Sequence, residues 1–117
     1  MSNTAPGLVV WITGLSGAGK STVGALVCRR LRLNGRAVVL LDGDAVREVL
    51  GGDLGHGRED RLRNAYRISR LAALLSGQGF TVVCATMSLF RECHEWNRLN
   101  FPSYLEVYLR VPLGELK

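Results

Sequence analysis

Apolar residues recur along this chain in two alternating rhythms. Four short runs, at positions 8–13, 37–41, 80–85 and 104–111, are nearly continuous in apolar, often branched side chains. Such runs predict strands buried on both faces. Between them, apolar residues fall three and four apart. Positions 20–33 place Val23, Leu26, Val27, the Arg30 stem and Leu31 on one predicted helical face, and 58–75 do so with Leu62, Ala65, Ile68, Leu71, Ala72 and Leu75. Shorter helices are expected at 45–50 and 92–100. Asn34-Gly35 and Gly77-Gln78-Gly79 stop the two long helices, Phe101-Pro102 stops the last, and Gly51 to Gly57 is a loop with four glycines. Pro112 is placed to open one more helix. Strands alternating with helices predict an α/β fold, a mostly parallel sheet flanked by helices. Ligands in such sheets bind at the carboxyl ends of the strands, and each polar cluster below follows a strand.

Composition narrows this picture. The 117 residues suit one domain, 1–117, and 47% hydrophobic with 21% charged residues is ordinary for a globular protein. No run approaches the ~18–20 apolar residues of a membrane span, and the polar start at Met1 to Gly7 lacks a secretory leader's basic and apolar regions. A cytoplasmic protein is expected, with no membrane partner. The net charge of +5 suits a polyanionic partner, but the basic residues are scattered and only two of fifteen are Lys. Without a basic run interleaved with aromatics, nucleic-acid binding is disfavoured. Arginines converging on a phosphate-bearing small molecule are the sharper expectation. Cys28, Cys84 and Cys93 show neither a CxxC nor a metal-ligand spacing, so buried free thiols are expected.

The strongest chemistry sits after the first strand. Gly14-Leu15-Ser16-Gly17-Ala18-Gly19-Lys20-Ser21 fills every position of G-x-x-x-x-G-K-[ST], between a predicted strand and a predicted helix. Glycines let the backbone curl around phosphate oxygens with its N–H groups inward, and the helix adds its positive end. Lys20 would reach the β- and γ-phosphates, Ser21 would coordinate Mg²⁺, and Thr22 completes the cradle. This is the loop of the P-loop nucleoside triphosphate hydrolase fold, and it predicts ATP with Mg²⁺.

A second magnesium contact and an acceptor-facing group are expected from an acidic residue at a strand end. The third strand ends in Thr86-Met87-Ser88, without an acid. The second ends in Asp42-Gly43-Asp44. Residues two apart in extended chain point the same way. Asp42 would then help hold Mg²⁺ through water, and Asp44 would orient or deprotonate an acceptor hydroxyl. The plainer alternative is an Asx turn with Asp44 as helix cap. No guanine-reading N-K-x-D follows the later strands, and the chain has little room for motor machinery. A small-molecule kinase is the remaining reading.

Four motifs in order, the loop 14–22, Leu41-Asp42-Gly43-Asp44-x-Val46-Arg47, Asp53-Leu54-Gly55 and Glu59-Asp60-Arg61-x-x-Asn64, resemble the adenylylsulfate kinase family. The resemblance implies transfer of the ATP γ-phosphoryl group to the 3′-hydroxyl of adenosine 5′-phosphosulfate in sulfate assimilation. It implies that Lys20 and Asp44 are catalytic. It also implies that Asp42, Asp44, Arg47, His56, Arg61, Asn64, Met87 and Ser88 line the site of a small anionic nucleotide acceptor. Arginine forks would offset repulsion between a doubly anionic acceptor and ATP.

The chain departs from the family in three places. His56 stands where the family often has a Phe that packs on the acceptor base. Met87-Ser88-Leu89-Phe90-Arg91 replaces Ile-Ser-Pro-Tyr-Arg. That variant is similar to kinases of surface-polysaccharide clusters, one branch of which acts on a cytidine diphosphoramidate. Trp96 and Asn97 are either acceptor contacts or helix packing. Finally, the family's Arg-Asp-Pro-Lys-Gly-Leu-Tyr lid and last strand have no counterpart before Lys117. A fragment, a truncated reading frame or a domain completed by dimerisation is expected, with the fourth strand at an open edge.

Overall fold

The computed structural model describes residues 7–14, 19–55, 57–86 and 90–109. Among them run β1 (Val9–Gly14), α1 (Lys20–Leu33), β2 (Val38–Asp42), α2 (Gly43–Leu50), α3 (Arg58–Ser76), β3 (Thr81–Ala85), α4 (Arg91–Asn100) and β4 (Tyr104–Leu109). All strand pairings are parallel, in the order β2-β3-β1-β4. The helix expected after Pro112 lies outside the described residues.

The continuous apolar runs of β1 and β3 follow from their central places. Alternate β1 side chains serve two cores. Val9 and Trp11 join Val82, Cys84, Ala65, Ile68 and Ala72 on one side. Val10 and Ile12 join Val83 and Cys28 on the other, with Val23, Val27 and Leu31 packed against them. The α3 stripe sits where its periodicity predicts, with Ala65, Ile68 and Ala72 buried.

Two expectations are corrected. Leu26 is 59% exposed and Arg30 is also exposed, because the face of α1 turned to the sheet runs through Gly24, Cys28 and Leu31. A Cβ at Gly24 would lie 3.3 Å from the Ala85 Cβ, so α1 approaches β3 closely there. Leu26 is on the far side of the helix. The second correction is β2, expected to be buried on both faces. Each of its residues is half-buried, because β2 is an edge strand with β3 as its neighbour. The other edge, β4, leaves Leu105 and Tyr108 about half exposed, at 51% and 52%.

The core under α3 and α4 holds a polar network that the apolar pattern did not announce. Ser69 donates to Asn97 Oδ1 at 2.6 Å, and Asn97 Nδ2 donates to the Tyr104 hydroxyl at 3.2 Å. Since the Ser69 proton is committed, the Cys93 thiol is the donor in its 3.3 Å contact with Ser69 Oγ. Tyr104 donates to Glu106 at 3.0 Å, and Arg98 holds Glu106 through two bonds. Burial works to raise the Glu106 carboxyl, but the bonds from Arg98 and Tyr104 outweigh it and hold its pKa below the ordinary value. Asn97 is fully buried, and Trp96 packs edge-on against Phe101. Both residues serve packing between α4 and β4. The three cysteines are buried and free, and burial pushes the Cys84 thiol far up.

Candidate active site

The site is built at the carboxyl ends of the strands. β1 ends at Gly14, which is buried, and α1 begins at Lys20. Leu15, Ser16, Gly17 and Ala18 lie outside the described residues, as do His56, Met87 and Ser88. Gly19 is the hinge between loop and helix, in the left-handed region at φ 84°. Nothing lies within 4 Å of a Cβ placed there, so glycine is required by the backbone angle and not by space. Its carbonyl accepts the first helical bond, from Val23 N–H at 2.9 Å. Among the described residues no side chain caps α1, and its first turn holds no acid. The positive end of this 14-residue helix is therefore left for an anion. Lys20 and Ser21 open the helix, and Thr22 is exposed on its first turn.

At the end of β2 the structure corrects the geometry expected for the two aspartates. The helix begins at Gly43, not at position 45, and its cap is Asp42, not Asp44. Asp42 Oδ1 accepts from Asp44 N–H at 2.9 Å and Ala45 N–H at 3.3 Å. Two amides that a helix start leaves without partners are thereby satisfied. The period-2 argument fails because Asp44 is already helical. Asp42 is half-buried and Asp44 is exposed on the first turn, where an acid also favours the helix dipole.

Side-chain ties hold the loop between α2 and α3. Arg47 donates to the carbonyls of Leu54 and Gly55, at 3.4 and 2.5 Å. Gly55 N–H donates to Asp60 Oδ2 at 2.8 Å. Arg67 grips Asp53 through two bonds of 3.0 and 2.8 Å and reaches the Leu50 carbonyl at 2.7 Å. The bonds from Arg67 hold the Asp53 carboxyl below its usual range. Arg47 thus fastens the loop, while Arg61 is exposed at the start of α3. Asn64 is half-buried and donates to the Gly43 carbonyl at 3.4 Å, and its Oδ1 is buried without a protein partner. Asp42, Asp44, Arg47 and Asn64 are therefore brought to one wall.

Across the mouth, Arg58 pairs with Glu92 at 3.2 Å and lies 5.1 Å from the centre of the Phe90 ring. It joins the start of α3 to the start of α4. Sequence reasoning missed Arg58, Arg67 and Thr86. Their partners lie 14 or more positions away or on another element, so no local spacing marks them. A shallow hollow of about 440 Å³, lined by Leu8, Arg36, Thr81 and Ser103 among others, lies at the amino ends of the strands, away from all four motifs.

A glycine-hinged turn from a central parallel strand into an open helix start, beside acidic and basic groups at the next strand end, defines a P-loop nucleotide-binding α/β protein. The comparisons sharpen this. The family model described as adenylylsulphate kinase matches residues 6–117, and the chain belongs to that family. It is 45% identical over 108 residues to the adenylyl-sulfate kinase of Deinococcus deserti, covering 92% of this chain and 60% of that protein. It is 35% identical over 108 residues to the cytidine diphosphoramidate kinase of Campylobacter jejuni, covering 92% of this chain and 63% of that protein. The Mycobacterium tuberculosis APS kinase solved with AMPPNP and APS superposes with a TM-score of 0.86 at 37% identity, over 95% of this chain and 66% of that one. The chain thus spans about three fifths of the length of these two curated relatives. Among the described residues, no helix is long and apolar enough to cross a membrane.

Proposed function

We propose that the protein transfers the γ-phosphoryl group of ATP to the 3′-hydroxyl of adenosine 5′-phosphosulfate. The observation that carries this reading is the placement of Asp44, exposed on a capped helix start at the end of β2, two strands along the sheet from the uncapped start of α1. Phosphates on α1 and an acceptor hydroxyl at Asp44 then meet over the carboxyl ends of β1 and β3. Relatives that carry the adenylyl-sulfate kinase name, and a solved one with both nucleotides bound, support it.

In this reading the cradle 14–22 orients the triphosphate, and Lys20 offsets charge on its outer phosphates. Asp44 accepts the hydroxyl proton as the oxygen attacks the γ-phosphorus, and the bond from that phosphorus to the β,γ-bridging oxygen breaks to release ADP. Arg61 and Asn64 face the acceptor's anionic and ribose groups, and Arg47 holds the loop that bounds it. The donors at the end of β2 are carboxylate oxygens, which suit a hard cation. Among the described residues there is no cluster of three or more His, Cys, Asp or Glu that could hold a metal. Mg²⁺ would be held by Ser21 and, through water, Asp42, and it supplies neutralisation of the phosphate charge.

A second reading rests on a specific observation, the Campylobacter relative together with Met87-Ser88-Leu89-Phe90-Arg91. It replaces the acceptor with a cytidine diphosphate-linked compound and keeps the cradle. The test is incubation with Mg²⁺ and γ-labelled ATP, each acceptor offered separately. Label on adenosine 5′-phosphosulfate supports the first reading, label on the cytidine acceptor alone supports the second, and label on neither contradicts both.

A further inference from the structure

The first turn of α2 is held from three directions, and we infer that Thr86, seated against Gly43, is a positioning residue that sets where Asp44 stands. The inference rests on the reading of Asp44 as the group that meets the acceptor. From the strand side, Asp42 caps the amides of Asp44 and Ala45. From α3, Asn64 donates to the Gly43 carbonyl. From the end of β3, Thr86 closes the third side. A Cβ at Gly43 would lie 2.9 Å from Thr86 Oγ1, 3.2 Å from its Cβ and 3.4 Å from its Cα. Both residues are buried.

Local preference points the other way. Gly43 is not among the described residues with positive φ, which are Gly19, Gly35 and Gly79, so its backbone would admit alanine. Alanine is also the better helix former. What requires glycine is the side chain of Thr86. Thr86 is itself fixed at the strand end, where its N–H donates to the Ile12 carbonyl at 3.0 Å. A side chain at position 43 would meet Thr86 more closely than atoms pack, so the Thr86 side chain or the first turn of α2, and Asp44 with it, has to give. Reaction geometry tolerates little of that, since a misplacement of about 1 Å can cost ~10²-fold in rate. The Gly43–Thr86 contact therefore sets the distance between the acceptor-facing carboxylate and the cradle.

The experiment compares Gly43→Ala, Thr86→Ala and the double variant. It reads ATP affinity, kcat with saturating acceptor, and hydrogen exchange of the Asp44 and Ala45 amides. Gly43→Ala is expected to lower kcat about tenfold or more, to speed exchange at both amides and to leave ATP affinity unchanged. Adding Thr86→Ala relieves the closest contact and is expected to recover rate and amide protection together. Gly43→Ala that folds only in the presence of Thr86→Ala supports the inference equally. Gly43→Ala with wild-type rate and protection overturns it, as does a double variant no better than the single. Asp44→Asn is run alongside. If it transfers at the wild-type rate, the reading of Asp44 falls and the inference with it. If it loses transfer while Gly43→Ala behaves as wild type, the inference alone falls.

Discussion

On the proposed function, the phosphate side and the acceptor side of this molecule are built by opposite means. At the end of β1 the work is done by backbone: a buried Gly14, a left-handed Gly19 and a helix start that no side chain caps among the described residues. At the end of β2 it is done by side chains holding other groups. Asp42 caps α2, Asn64 grips Gly43, Arg47 fastens the following loop and Arg67 clamps Asp53. A backbone cradle takes any nucleoside triphosphate, because it reads phosphates. A wall made of linked side chains is tuned to one acceptor and is changed one residue at a time. Relatives at 35% and 45% identity carry names with different acceptors, as a wall of that kind would allow.

The sharpest way to break the comparison is at the cradle. Lys20→Ala should reduce transfer by about 10²–10³-fold with any acceptor, measured with labelled ATP. A loss confined to one acceptor would contradict the division. Next is the network behind the acceptor wall. Asn97→Ala leaves the buried Ser69 hydroxyl without its acceptor and should cost about 1–3 kcal/mol of stability, read from urea unfolding, with ATP affinity unchanged in the folded fraction. The smallest effect is expected at the exposed clamp. Asp53→Asn should raise the acceptor KM by about two- to fivefold and leave the ATP KM alone. The Asp53 carboxyl is depressed in the folded protein. Its stabilising contribution is therefore present above the ordinary carboxylate value of ~3.9 and is lost as pH falls through the lower folded value. Wild-type and Asp53→Asn unfolding midpoints should converge in that acidic range and separate above it.

The same division decides what could be read from sequence. The cradle is one unbroken motif, and the order of strands and helices follows from local periodicity. The α1 helix falls where expected, at Lys20–Leu33. The end of β2 and the start of α2 lie one and two residues from where they are expected, because a capping carboxylate can lie at either end of Asp42-Gly43-Asp44 and only the tertiary position of Gly43 against Thr86 selects one. Leu26 was misassigned because apolar spacing does not say which side of a helix meets the sheet. Asn97 was ambiguous because its partners, Ser69 and Tyr104, come from other elements. The Asp53–Arg67 clamp spans 14 positions, beyond any helical or strand period. Sequence carries contacts made within an element, and the acceptor wall is made between elements.

The measurement that tests the account most directly pairs ATP affinity with transfer rate in Asp44→Asn. Asn keeps the size of the side chain and removes its basicity. The account predicts ATP binding as tight as in the wild type and transfer lowered by about 10²–10⁴-fold. Transfer at the wild-type rate, or loss of ATP binding together with transfer, would contradict the placing of Asp44 on a separate acceptor wall.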